Sequence, residues 1–256
     1  MAIIDKPSDY FNTVLYTGNA SASRSITGVG FQPDWLWVKG RSTAYYHGLW
    51  DVARTNKSAL YSNVTNAEDT TTPGTLTSFD SDGFTLPNAS GGFVNNSGTT
   101  YASWNWKAGG SASSNSNGSI TSSISDSSNS GFSIVSYSGT SSNGTIGHGL
   151  DSAPKMVIVK ALASGRDWMT YHKSVGATKY LFLNATDASA SSSGIWNDTD
   201  PTSTVVHLGS SNSVNGNGIN YIAYCFADTS MSKMGSYVGS GSAPGTFSYL
   251  GFKPAF

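Results

Sequence analysis

Three of the five Tyr-x-Gly triplets in this chain, at Tyr16/Gly18, Tyr137/Gly139 and Tyr237/Gly239, share a second landmark: a proline 17 residues after each tyrosine, at Pro33, Pro154 and Pro254. From the first two prolines the agreement continues. A lysine lies six residues on (Lys39, Lys160), an asparagine thirty on (Asn63, Asn184), and a Gly–Tyr pair closes the run at Gly98/Tyr101 and Gly218/Tyr221. Landmarks held at such constant spacing describe an internal repeat, in which each copy is one structural unit. The predicted organisation is therefore a first unit over residues 1–108, a Ser/Asn/Gly-rich linker over 109–130, a second unit over 131–233, and a segment over 234–256 that opens like a third.

The runs between the landmarks read as strands. "DWLWVK" and "KMVIVK" are short apolar stretches entered from a proline, and "YASWNWKA" and "YIAYCFA" place large side chains at alternate positions, the period of a half-buried strand. "LTSFDSDGFTL" sets Asp-Gly between two apolar arms, a hairpin signal. No stretch shows helical periodicity. Two tandem homologous β-sandwiches are expected, with a lectin-like jelly roll preferred to an immunoglobulin-like Greek key. Within the linker, "SITSSI" is short enough to lie free or to dock as an edge strand.

Composition narrows the function. Only 11% of residues are charged, the net charge is −1, and 38% are hydrophobic, with seven Trp. That is enough apolar matter for cores, and it gives no basic patch for nucleic acid or anionic membrane. Cys225 is the only cysteine, so no disulfide frame exists within the chain. The opening "MAIIDKPSDYFN" lacks the charged-then-apolar pattern of an export signal, and no run approaches transmembrane length. An adhesin-like surface chemistry without export signal or disulfides fits a protein made in a cytoplasm and released by lysis, a virion component being the obvious case.

The same segments carry a resemblance. "YTGN…ITGVGFQPDWLWVKGRS…YHGLWD…SFDSDGFTL…NNSGTTYASWNWKAGG", continued by "FSIVSYSGT…GHGL…APKMVIVK…DWMTYHKSVGATKYLFLN…YIAYCFA…GSYVGSG", resembles a repeat family of phage structural proteins, found in phages of marine bacteria and cyanobacteria and called tail or tail-fibre proteins. The resemblance implies a virion location, other virion proteins as partners, and an adhesive or scaffolding role without catalytic residues. Host surface polysaccharide is the expected ligand of an adhesive part, and a homotrimer the expected assembly. A capsid decoration or adaptor protein is the alternative, and a polysaccharide depolymerase the third reading.

The candidate residues divide by whether the repeat mirrors them. Trp35 and Trp37 match Met156 and Ile158, and Trp104 and Trp106 match Tyr224 and Phe226, so all four are expected to fill cores. Trp50, Trp168 and Trp196 show no mirror and lie near polar sequence; they are the candidate surface or interface contacts. His47 and His172 are read as equivalents within Tyr46-His47 and Tyr171-His172, in structural roles. No zinc-ligand spacing occurs, and no cofactor is expected. Glu68, the only glutamate, reads as part of a solvated loop, which leaves a paired-carboxylate glycosidase without its usual residues. Asp80 and Asp82 fit a hairpin turn, with a calcium site as the competing explanation.

The segment "YVGSGSAPGTFSYLGFKPAF" is too short for a core of its own, yet it carries Tyr237, Val238, Phe247, Tyr249, Leu250, Phe252 and Phe256. Burial is worth about 1.5–3 kcal/mol for each large apolar side chain. A hairpin with arms near 234–238 and 246–250, docked on the second unit or on a neighbouring protomer, is therefore expected. By the same reasoning, residues 132–139 should sit against the first unit.

Overall fold

The structure is a computed structural model that describes residues 6–54, 58–71, 76–86, 93–163, 165–243 and 245–253. Pro254 and Phe256 lie outside the described residues. The described chain is nearly all β. The first half contributes β1 (Phe11–Thr17), β2 (Ser25–Thr27), β3 (Trp35–Gly40), β4 (Gly48–Asp51), β5 (Leu60–Tyr61), β6 (Ser78–Asp80), β7 (Gly83–Thr85) and β8 (Thr100–Trp106). These form a five-stranded sheet in the order β1-β8-β3-β4-β5 and a three-stranded sheet β2-β7-β6. Tyr16, Leu36, Val38 and Trp50 from the larger sheet meet Ile26, Phe84 and Leu86 from the smaller side in one buried cluster. That is a two-layer, sandwich-like arrangement.

The second half contributes β9 (Ser113–Asn115), β10 (Ser122–Ser127), β11 (Phe132–Ser138), β12 (Gly144–Gly147), β13 (Met156–Ala161), β14 (Met169–His172), β15 (Lys179–Phe182), β16 (Ala190–Ser191), β17 (Val205–Leu208) and β18 (Asn220–Phe226). Its large sheet has eight strands, β16-β15-β14-β13-β18-β11-β10-β9, faced by the pair β12-β17. One four-residue helical turn, α1 (Ser193–Trp196), is capped by the Ser192 side chain accepting from the Gly194 amide. It delivers Ile195 and Trp196 into the core beneath.

The two large sheets share a register. Phe11 lies opposite Trp106 and Tyr16 opposite Tyr101 in the first; Phe132 lies opposite Phe226 and Tyr137 opposite Tyr221 in the second. On the other flank, Trp35 faces Trp106 as Met156 faces Phe226, and Lys39 faces Ala102 as Lys160 faces Ile222. Side-chain bonds agree as well. Asn63 accepts from the His47 amide at 3.0 Å, and Asn184 accepts from the Trp168 amide at 2.8 Å.

The Tyr-x-Gly unit has the same physical basis in both halves. The Tyr16 hydroxyl donates to the Val94 carbonyl (2.9 Å), and Tyr137 donates to Val214 (2.6 Å). Each phenol stacks on the tyrosine opposite it, at 5.0 and 5.2 Å. A Cβ on Gly18 would fall 2.1 Å from the Asn96 carbonyl oxygen, and one on Gly139 would fall 2.3 Å from that of Gly216. Only glycine lets the two backbones approach so closely.

Strand alternation assigns the remaining faces. Leu36 and Val38 point into the first sandwich, which leaves Trp35 and Trp37 on the outer face of the sheet. There the second sheet covers part of them: Trp35, Leu49 and Leu60 share a buried cluster with Phe132, Ile134, Ile158, Trp168, Ile222, Tyr224 and Phe226. Trp35 alone packs on Phe132 (5.4 Å), Tyr224 (4.6 Å) and Phe226 (5.8 Å). The halves thus join sheet face to sheet face, and residues 132–134 sit against the first half.

Two segments differ from expectation or settle an open choice. Residues 113–115 and 122–127, inside the linker range, are strands that extend the second sheet outward from β11. Residues 235–253 carry no strand where described, and Tyr237, Val238, Phe247 and Tyr249 are 74%, 84%, 85% and 85% exposed. The expected hairpin on the second sheet is not formed. A Thr246 hydroxyl bond to the Val238 carbonyl at 2.6 Å is the contact between its arms.

Candidate functional site

The outer face of the first sheet can be read as rows running across the strands. Register places Phe11, Trp106, Trp35 and Asp51 in one row and Thr13, Trp104, Trp37 and Leu49 in the next; Leu15, Ala102 and Lys39 make the third. The second sheet covers the β3–β5 side of this face and reaches Trp106 on β8, which leaves Thr13 and Leu15 of β1 exposed. Trp37 and Trp104 are half-buried there, with ring centroids 6.2 Å apart and nearly perpendicular, and His47 lies 6.3 Å from Trp37. Burial, and then the neighbouring Lys39 charge, hold the His47 imidazole below its ordinary value, so it stays neutral near pH 7. This ledge offers apolar ring faces beside a neutral hydrogen-bonding group.

At the covered side, the seam between the sheets closes over a charged cluster. Asp51 is fully buried and accepts from the amides of Ala53 and Arg54 and from Arg54 Nε at 2.8 Å. Arg54 Nη1 reaches Glu68 at 2.6 Å and the Ser58 carbonyl at 2.9 Å, and the Tyr224 hydroxyl reaches Asp51 Oδ2 from the second sheet at 2.8 Å. Burial alone would depress the Arg54 guanidinium, but Asp51, Tyr224 and Glu68 outweigh it and raise it above its ordinary value. Burial, then Asp51, raises the Tyr224 phenol. A shallow cleft of about 370 Å³ runs beside this cluster, lined by Arg54, Glu68, Ser136, Tyr137, Leu162 and Tyr221. Every charged group at its rim is engaged in the chain's own structure. Glu68 therefore belongs to the seam and not to a solvated loop, and its amide also donates to the Leu162 carbonyl of the second half at 2.8 Å.

Trp50, Trp168 and Trp196 are corrected by the structure: all three are fully buried. Trp50 occupies the register position of Tyr171, each pointing into its own sandwich (Leu36 opposite Trp50, Val157 opposite Tyr171), and it stacks on Phe93 at 5.8 Å. Trp168 is an internal interface residue. Its Nε1 donates to the Tyr61 and Val64 carbonyls of the first half at 3.0 and 3.2 Å. Trp196 packs edge-on against Tyr171 inside the second sandwich. The histidine pairing is corrected too. The shared asparagine bond makes His47 the counterpart of Trp168, and register makes Asp51 the counterpart of His172.

The remaining candidates have structural partners. Asp80 accepts from the Ser78 and Thr85 hydroxyls at 2.6 and 2.7 Å, and Asp82 holds the Gly28 and Gly30 amides at 3.0 and 2.6 Å. Asp80 thus braces the hairpin from within and Asp82 ties it to the turn after β2, which accounts for both carboxylates. Among the described residues no group of three His, Cys, Asp or Glu is placed to hold a metal. Cys225 is buried, and burial pushes its thiol up to about 12, which leaves it unreactive. No helix among the described residues is long and apolar enough to cross a membrane.

Fold and site together define an all-β, sandwich-like protein in which the buried Asp51–Arg54–Glu68 set serves the chain's own seam. Residues 6–256 match a family described as a domain of unknown function, DUF7483, and the chain belongs to that family. Comparison with curated proteins and with solved structures gave no match.

Proposed function

We propose that this chain is a non-enzymatic structural protein of a virion, a tail fibre or tail-associated appendage, built from two tandem jelly-roll-like units that arose by duplication. The observation that carries the reading is the seam. Two sheets meet through an aromatic cluster and a fully engaged Asp51–Arg54–Glu68 set, which makes the halves one stiff block. First-with-last and second-with-next-to-last strand pairing (β1 with β8, β2 with β7) supports the jelly-roll description, as the matching registers support the duplication. Assembly as a homotrimer, with other virion proteins as partners, completes the reading. Antibodies raised against the pure protein should label intact particles along the tail. Label over the capsid surface would favour the decoration or adaptor role, and release of oligosaccharides from host envelope would favour a depolymerase.

A second role, contact with host surface polysaccharide, is favoured by the Trp37–Trp104 ledge, since partly exposed indoles stack on the apolar faces of sugars. Titration with host polysaccharide should change tryptophan fluorescence in the parent and not in Trp104→Ala. An unchanged spectrum in the parent sinks this role and leaves the structural one standing.

A further inference from the structure

The fold has a seat beside one strand that is filled in one half and open in the other. In the second sheet, β11 is flanked by β10, antiparallel, with Ile124 opposite Val135 and Ser122 opposite Tyr137; β9 lies beyond. Val135 is completely buried there. In the first sheet the matching strand β1 is outermost among the described residues, its Val14 is only half-buried, and Leu15 is 60% exposed. On this edge the Asn12 side chain covers the Thr13 amide at 2.9 Å and the Arg24 guanidinium covers the Thr17 carbonyl, so the Leu15 peptide groups form its open centre. A strand edge of this kind is a template for another chain.

The same molecule carries a segment with strand chemistry that pairs with no strand among the described residues. Residues 245–252 read Gly-Thr-Phe-Ser-Tyr-Leu-Gly-Phe, and Phe247 and Tyr249 are each 85% exposed. In an extended chain these two rings fall on one face, with Thr246, Ser248 and Leu250 on the other. Tethered to the second half, this segment has a high local concentration around its own first half, yet both it and Leu15 stay exposed. In this structure the tail leaves the seat of its own chain unfilled.

We propose that residues 245–252 of one copy add as an antiparallel strand to the β1 edge of a second copy. The β10–β11 ladder supplies the register: Leu250 opposite Val14, as Ile124 is opposite Val135, which sets Tyr249 opposite Leu15. Tyr249 and Phe247 then lie on the side of Phe11 and Trp104, at the open edge of the aromatic ledge. Each copy has one donor segment and one acceptor edge, so the contact is head-to-tail. It closes into a ring where the rotation permits, and otherwise runs on as a fibre. Nothing in this contact depends on where the protein acts.

Leu15→Cys and Tyr249→Cys, made as separate full-length variants and mixed under mild oxidation, provide the test. Directly opposed strand residues are close enough for a disulfide, and the buried Cys225 does not compete. A mixed disulfide between the two introduced thiols, identified by peptide mass, should dominate over the cross-link formed when Leu15→Cys is mixed with Ser240→Cys. Leu15→Lys, at an exposed site, should show a loss of the parent's concentration-dependent association in sedimentation. Equal cross-linking of the two pairs overturns the proposal. So does a double variant that closes only within its own chain in dilute solution, or a parent that sediments as a monomer at every concentration.

Discussion

The Tyr224 hydroxyl donates to Asp51 across the seam at 2.8 Å, joining residues 173 apart in sequence on strands of different sheets. Both groups are buried, so the bond is made to a charge out of reach of water. A hydrogen bond to a charged group contributes about 1.5–3 kcal/mol. Tyr224→Phe keeps the ring against Trp35 and removes only the donor. Urea unfolding should show a loss within that range; a loss near zero would mean that Asp51 is satisfied by Arg54 alone.

Arg54 is the larger dependency. Its removal leaves Asp51 as a buried carboxylate without a cation, and breaking a buried pair on one side costs about 3–5 kcal/mol. Arg54→Met should be destabilised on that scale, more than Tyr224→Phe. Adding Asp51→Asn to Arg54→Met should restore part of the loss, because the stranded charge is then gone. A double variant no better than Arg54→Met would show that the cluster contributes through packing.

Much of the sheet was legible because its landmarks have backbone causes. Tyr16 and Tyr137 need a carbonyl partner and a close-approach glycine two residues on, so the Tyr-x-Gly spacing survives wherever that corner is built. Asn63 and Asn184 hold one backbone amide each, which fixes their distance from the strand before them. The tryptophans were misread for a related reason. Trp50 and Trp168 stand beside turn residues, and the local polarity belongs to the turns and not to the indoles. The Tyr-His dipeptides suggested an equivalence four residues out of register, since a dipeptide match carries no information about pairing. The Asp51–Arg54–Glu68 cluster had no sequence signal. Its members meet only because two sheets pack face to face.

The three Tyr-x-Gly units that share the proline spacing form an internal control. Tyr16→Phe and Tyr137→Phe each delete a bond to a buried carbonyl and should each cost about 0.5–1.5 kcal/mol. Tyr237 is 74% exposed, and Tyr237→Phe should leave unfolding unchanged. The glycines should follow the same order. Gly18→Ala and Gly139→Ala force a Cβ into backbone, whereas a Cβ on Gly239 meets nothing within 4 Å. A cost at Tyr237 equal to that at Tyr16 would mean that the third unit is folded in solution.

Lys160 sets the pH dependence on the alkaline side. The side chain is fully buried, with Nζ donating to the Thr65 carbonyl of the first half at 3.1 Å and to the Arg166 carbonyl at 2.9 Å. Burial lowers its pKa to about 8, with Asp167 opposing the shift and Arg166 adding to it. In the unfolded chain a lysine keeps its proton to about pH 10.4. Between those values the unfolded state holds a proton on this lysine that the folded state has shed, so its contribution to stability rises with pH, while Cys225, kept protonated by burial, opposes the rise once the unfolded thiol ionises above about pH 8.5. Above about pH 10 the sign reverses. Buried Tyr16, Tyr137 and Tyr224 are raised by desolvation and stay protonated in the fold, while the unfolded chain loses those protons. The urea midpoint should therefore climb only from about pH 8 to about pH 8.5, run level while Lys160 and Cys225 offset each other, and fall above about pH 10. Lys160→Met, which keeps the buried stem and removes the charge, should flatten the climb and leave the fall intact. Parallel profiles for the variant and the parent would show that the ammonium is fully solvated by its carbonyl partners and sheds no proton in this range.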